Sequence, residues 1–266
     1  MNSALIRLIA RVGYVARGLV FISIGGLTLA AALGLGGRKA GFQETVKSLL
    51  QEGVGGFVAF CLAAGLLCFS IWRLLEAVLP NDDRPRSLFQ RAIFAGSGLF
   101  YLALSGWTLS NVFSARPPQG SSDQSAREWT AWLMGVPAGT ALIGAIGLLL
   151  VAGALVFSVR ACNRHFKSAV ALRSDAPAFI SALGRYGLIA RAVIYAEIGG
   201  FLIYAALSYR SREAKGFVGA FQTIEQFEYG NLILSLTAAG FIAFGLYEFG
   251  AAIYRDLVPQ RVQPDP

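Results

Sequence analysis

Histidine is nearly missing from this chain: His165 is the single one in 266 residues. A haem iron gripped from both faces needs two such ligands, and no grouping of His, Cys and carboxylate residues in the sequence supplies a metal site. Serine-histidine proteolysis fails for a related reason. His165 lies beside Arg164 and Lys167 in a polar joint, and Ser97 has no evident base. The three cysteines, Cys61, Cys68 and Cys162, include no Cys-x-x-Cys pair, so no redox compartment follows from them. Cys61 and Cys68 stand seven apart on one helix face and read as small packing residues. Gly34-Leu35-Gly36-Gly37 lacks the preceding strand that a phosphate-binding loop requires and reads as a helix end. No enzyme activity and no cofactor are expected.

Charge is scarce as well. Only 14% of residues are Asp, Glu, Lys or Arg, against roughly 25% in a soluble domain. Hydrophobic residues make up 55%, and the mean hydropathy is +0.58. Such a chain has too little polar surface to coat itself in water. Its long apolar runs meet the ~20 residues needed to cross a hydrocarbon core of ~30 Å. Candidate spans are Gly18 to Leu35, Phe57 to Leu79, Ala92 to Val112, Thr140 to Val159, Leu188 to Leu207 and Leu232 to Ile253. Polar joints separate them, notably Pro80-Asn81-Asp82-Asp83-Arg84-Pro85 and Arg116-Pro117-Pro118-Gln119-Gly120-Ser121-Ser122. Arg7, Arg11 and Arg17 ahead of an apolar run and Ala30-Ala31-Ala32 imitate a secretory signal, but the same pattern recurs later, which argues that the segment is retained.

That recurrence organises the whole chain. Arg11-Val12-Gly13-Tyr14-Val15-Ala16-Arg17-Gly18 returns as Arg185-Tyr186-Gly187-Leu188-Ile189-Ala190-Arg191-Ala192. Downstream, Phe21 matches Tyr195, Gly25-Gly26 matches Gly199-Gly200, Gly55 matches Gly230, Gly65 matches Gly240 and Trp72 matches Tyr247. A middle copy places Arg91, Gly98, Tyr101 and Gly106 where Arg11, Gly18, Phe21 and Gly26 predict, while its second span aligns only loosely. Three units follow: residues 1–80, a diverged 81–174, and 175–266, together one membrane domain. Each unit holds two spans, so successive copies enter the membrane in the same sense. The expectation is an all-α membrane protein of six transmembrane helices, in three parallel two-helix repeats about a pseudo-threefold axis along the membrane normal. Between paired spans, Phe42/Val46/Leu49/Leu50, Trp129/Trp132/Leu133/Val136 and Phe217/Phe221/Ile224 follow helical spacing and predict short interfacial helices with one face in lipid.

The formal charge of +8 points to membrane orientation rather than nucleic acid. Fifteen of the 23 Lys and Arg residues gather on the side that holds both termini and the joints between units. Basic flanks stay inside, so both termini are expected in the cytoplasm.

Within the spans stand Arg17, Arg191, Glu197 and Glu248, with Arg73 and Glu76 nearer the inner end of the second span. A charge at that depth costs at least ~2.5 kcal/mol, so each needs a partner or water. Depth along the helices lets Glu248 pair with Arg191, and lets Glu76 or Glu248 neutralise Arg17 and Arg73. Glu197 lies past mid-membrane with no obvious cation at its level, where protonation would remove most of the cost. The set reads either as a charge network gating a proton or ion route, or as arginines snorkelling to headgroups and glutamates pinning helices. The intramembrane glycines read in two ways too, as close-packing surfaces or as marks of unwound helices at a substrate site.

The motif Arg11-x-Gly13-Tyr14-x-Ala16-Arg17-Gly18, with two echoes each heading a two-span unit, resembles the bacterial family catalogued as domain of unknown function 1206. The resemblance covers nearly the whole chain and implies the inner membrane. It carries no assigned activity, and Ser97 stands where a third arginine would be. Two functions remain open: a non-catalytic scaffold or modulator of a membrane partner, which is another membrane protein or a second copy, and a small transporter or channel for protons, ions or a small solute that uses the buried Glu and Arg side chains.

Overall fold

The computed structural model describes residues 3–35, 39–51, 53, 55–78, 88–114, 120–163, 166 and 172–255. The joint Pro80 to Pro85, the stretch Arg116 to Gln119 and His165 lie outside the described residues. The elements are α1 (Ser3–Ala32), α2 (Phe42–Leu50), α3 (Gly55–Val78), α4 (Leu88–Phe113), α5 (Ser122–Met134), α6 (Gly139–Cys162), α7 (Ala178–Ser208), α8 (Phe217–Glu225) and α9 (Gly230–Tyr254). Helices α1, α3, α4, α6, α7 and α9 are long and apolar enough to cross a membrane. The chain is thus an all-helical, multi-pass membrane protein with six candidate spans.

Two spans begin earlier than hydropathy predicts: α1 starts at Ser3 rather than Gly18, and α7 at Ala178 rather than Leu188. Arg, Ala and Leu are strong helix formers, so nothing in these arginine-bearing turns stops the helix. Thirty residues in α1 extend about 45 Å, more than the ~30 Å hydrocarbon core.

Packing order is cyclic. Helix α3 packs on α4, α6 on α7, and α9 returns to α1, so the second span of each unit seats against the first span of the next. All three seams share one register. A Cβ placed on Gly25 would lie 2.6 Å from the Ala238 carbonyl oxygen, and one on Gly199 would lie 2.7 Å from that of Gly147. In the third seam Ser105 takes the glycine's place, and its hydroxyl donates 2.8 Å to the Ala63 carbonyl. One turn or two along, Gly18 abuts Gly245, and Ser70 donates to the Gly98 carbonyl at 2.8 Å. Small residues let these backbones meet, which is how helices associate where lipid removes the hydrophobic drive. This register supplies the alignment that the middle unit's second span lacked: Gly139 joins Gly55 and Gly230, each placed tightly behind the short helix before it.

Within units the pattern breaks. Helix α1 packs on α3 and α7 on α9, through Gly13 against Phe69, Gly187 against Phe244, Gly65 against Ala16 and Gly240 against Ala190. The would-be Cβ contacts at Gly65 and Gly240 are 2.3 and 2.4 Å, so neither position admits a larger residue without movement. In the middle unit Ile93 replaces Gly13 and Gly187, and Leu149 replaces Gly65 and Gly240. Among the described residues α4 and α6 form no comparable interface. Ile93 is 53% and Leu149 61% exposed, and a Cβ on Gly96, the equivalent of Ala16 and Ala190, meets nothing within 4 Å. The two bulky chains stand where close approach requires glycine, and the ring is parted there. Helices α4 and α6 are accordingly the least enclosed of the six.

At the end away from the termini, α2, α5 and α8 join into a cap. Their N-termini converge, and two carboxylates answer the partial positive charge gathered there. Glu44 accepts hydrogen bonds from the Gly41 N–H of its own helix at 2.9 Å and from the Ser122 N–H of α5 at 2.8 Å. Asp123 accepts from the N–H groups of Gly216 and Gly219 at 2.7 and 3.0 Å. Lys39, just ahead of α2, pairs with Glu225 of α8. This closure corrects the interfacial expectation in part. Val46 of α2 and Phe221 and Ile224 of α8 are buried in the protein core rather than in lipid, because the cap links turn those faces inward. On α5, Trp129 and Trp132 point outward with rings 5.6 Å apart, as befits residues at a headgroup layer.

Gly25, Gly65, Gly147, Gly199, Gly240 and Gly245 act by close packing, and among the described residues the spans run as unbroken α-helix. Nothing in the structure explains the three equivalent glycines Gly26, Gly106 and Gly200, which have open space beside them. Cys61 faces outward and does not pack as expected; the three cysteines are free thiols.

Candidate functional site

The seam register dictates which charges meet. Arg17 and Arg191 are equivalent positions on first spans, with Ser97 between them in repeat order, and each faces one position on the preceding second span. Across the α9–α1 seam that position is Glu248, whose carboxylate lies 3.2 Å from Arg17 Nη1. Across the α6–α7 seam it is Phe157, and the Arg191 guanidinium stacks over that ring at 4.7 Å. Across the α3–α4 seam it is Arg73, opposite Ser97. Arg73 turns instead to Glu76 on its own helix, at 2.8 Å. Glu248 therefore serves Arg17 and not Arg191, since α9 seats on α1 and brings the carboxylate to that side.

Among the described residues, Arg191 is left with a charge and no anion. It is 6% exposed, and its polar partner is the Tyr195 hydroxyl, 2.8 Å from Nη2. Among the described residues no carboxylate lies within ion-pair distance, and its buried Nε has no hydrogen-bond acceptor. Four rings surround it instead: Phe244 at 4.6 Å, Phe157 at 4.7 Å, Tyr195 at 5.1 Å and Phe21 at 5.3 Å. Arg17, 7% exposed, lies among Phe69 at 5.0 Å, Phe244 at 5.4 Å, and Phe21 and Tyr101 both at 5.7 Å. Cation–π contacts of this kind contribute about 0.5–2 kcal/mol each and hold a guanidinium in place without discharging it. The repeated aromatic positions Phe21, Tyr101 and Tyr195 thus converge on the two arginines. Phe69, Phe244 and Phe157 were not among the residues expected from sequence; the first two occupy equivalent repeat positions, which is the signal that marks them.

Glu197 stays apart from this cluster. It is half-buried on α7, its Oε2 has no hydrogen-bond partner, and the charge acting on it is that of Lys215, from the linker before α8. The end of the bundle that carries the chain termini holds further arginines. Arg255 donates to the Tyr14 hydroxyl and stacks over that ring at 5.4 Å. Arg160 at the exposed end of α6 feels the like charges of Arg255 and Arg73.

Three segments of the chain, residues 12–79, 92–164 and 186–255, match the family model described as Domain of Unknown Function (DUF1206). The chain belongs to that family. Each DUF1206 segment contains one pair of spans, so the family unit is the two-helix repeat. A relative from Bacillus subtilis (strain 168), "Uncharacterized protein YxxB", is 30% identical over 262 residues, covering 95% of this chain and 92% of its own length. No solved structure matches. Among the described residues no group of His, Cys, Asp and Glu is placed to hold a metal ion.

Proposed function

We propose that this DUF1206 protein is a non-catalytic membrane modulator whose working element is an anion-binding site at Arg191, set in the inner membrane with its arginine-rich end and both termini in the cytoplasm. One observation carries the reading: Phe157 stands where Glu248 stands in the third unit, so among the described residues one of two equivalent buried guanidiniums lacks a counter-charge. A guanidinium keeps its proton throughout the physiological range, and its planar fork of donors suits a phosphate or carboxylate. That chemistry favours binding over proton transfer, hence a modulator rather than an enzyme. It also disfavours the proton or cation route, because such an ion would pass two buried positive charges, only one of them neutralised.

Purified protein in a neutral maltoside detergent, titrated with butyl phosphate by calorimetry, tests this. Saturable binding is expected in the wild type. Losing one partner of a buried charged contact costs about 2–5 kcal/mol, so Arg191→Gln weakens binding by roughly thirtyfold or more. Phe157→Glu supplies the missing carboxylate internally and abolishes binding in a protein that still folds. No saturable binding by the wild type, or equal affinity in Arg191→Gln, overturns the reading.

A further inference from the structure

We infer that the anion at Arg191 is the headgroup of a membrane lipid, and that one of its acyl chains lies in the opening between α4 and α6. This rests on the anion-site reading above and names its ligand.

The opening is built by sequence. In the first and third units a glycine pair closes the two spans on each other, whereas Ile93 and Leu149 part them in the middle unit. Its walls are apolar: Ile93, Gly96 and Phe100 on α4, and Ile146, Leu149 and Gly153 on α6, five of the six exposed. Such a slot accepts a hydrocarbon chain and offers a water-borne anion nothing. The slot also leads to the site. A Cβ on Gly153 would sit 4.0 Å from the Tyr195 ring, which holds Arg191, and Phe157 lies one turn further along the same helix. Tyr101, Tyr195 and Phe157 are only part-buried, while Phe21, on the closed side of the ring, is buried. Arg191 lies toward the cationic end of the bundle, and Arg160 stands exposed three residues beyond Phe157 on α6. An amphiphile with an apolar tail and a negative head matches this sequence of surfaces; a neutral or zwitterionic lipid leaves Arg191 without net compensation.

The test uses the full chain in phosphatidylcholine nanodiscs containing a trace of phosphatidylglycerol with a photoactivatable acyl chain. Adducts are expected on the 93–100 and 146–153 segments, falling at least several-fold in Arg191→Gln. Gly96→Leu fills the slot where a side chain meets no neighbour, so the protein folds. It should lower adduct yield about tenfold by excluding a few methylenes, while butyl phosphate, with only four carbons to lose, weakens by less than about threefold. Leu149→Trp serves as a second block. Adducts spread evenly over the outer faces of all six spans, or a yield untouched by both blocks, overturn the lipid inference. Butyl phosphate binding that persists through that result leaves the anion site standing, whereas absence of both ligands from the wild type removes both.

Discussion

Replacing Glu248 by Gln removes the counter-charge of Arg17 while keeping shape and one hydrogen-bond acceptor. The pair is enclosed, with side-chain exposures of 8% for Arg17 and 2% for Glu248, and its N···O separation is 3.2 Å. Breaking a buried pair by removing one partner costs about 3–5 kcal/mol, and because glutamine still accepts a bond the lower end applies, about 3 kcal/mol. The four rings around Arg17 are present before and after the change and offset none of it. Arg17→Gln costs about as much, by stranding the carboxylate. The double variant buries no charge, so it loses less than the sum of the two singles by about 2 kcal/mol or more. Arg191→Gln is the built-in contrast: it strands no carboxylate, so relief from burying an unpaired charge offsets its lost ring contacts, and in ligand-free protein it costs less than either of the other singles. Reversible unfolding in mixed micelles of fixed composition measures all four. Singles at residues 17 and 248 costing under about 1 kcal/mol, or additivity in the double, would refute the assignment of Glu248 to Arg17.

Three further outcomes follow from the packing. Ala16→Leu forces a larger side chain against Gly65 and should destabilise by about 1–3 kcal/mol or more, whereas Gly96→Leu at the equivalent middle position stays within about 0.5 kcal/mol by thermal unfolding. Asp123→Asn weakens two charge-assisted bonds to the Gly216 and Gly219 N–H groups and should cost about 1–2 kcal/mol; an unchanged midpoint would mean the cap contributes nothing. A reporter fused after the last residue should be active only when it is of the cytoplasmic type; activity of a periplasmic-type reporter would reverse the orientation.

Much of the architecture was legible in the chain, because a span announces itself by length and a repeat by Gly, Arg and aromatic residues in matching order. Span starts were less so: hydropathy stops at arginine, but a helix does not, as Ser3 and Ala178 show. The pairing of Glu248 could not be read from depth, since Arg17 and Arg191 lie at the same level and only the α9–α1 seam decides between them. The parted middle unit was written in Ile93 and Leu149, yet those residues carry meaning only once Gly13, Gly65, Gly187 and Gly240 are seen pressed against their neighbours. Glu197 looked unaccompanied because Lys215, in the linker before α8, acts on it only through its charge in the folded protein and makes no contact with its Oε2.

A crystal structure grown from a lipid mesophase doped with phosphatidylglycerol tests the central claim most directly. An elongated density between α4 and α6, ending in a phosphate within hydrogen-bonding reach of Arg191, is the expected result. Helices α4 and α6 packed together over Gly96, with Arg191 neutralised by a carboxylate of the chain itself, would contradict it.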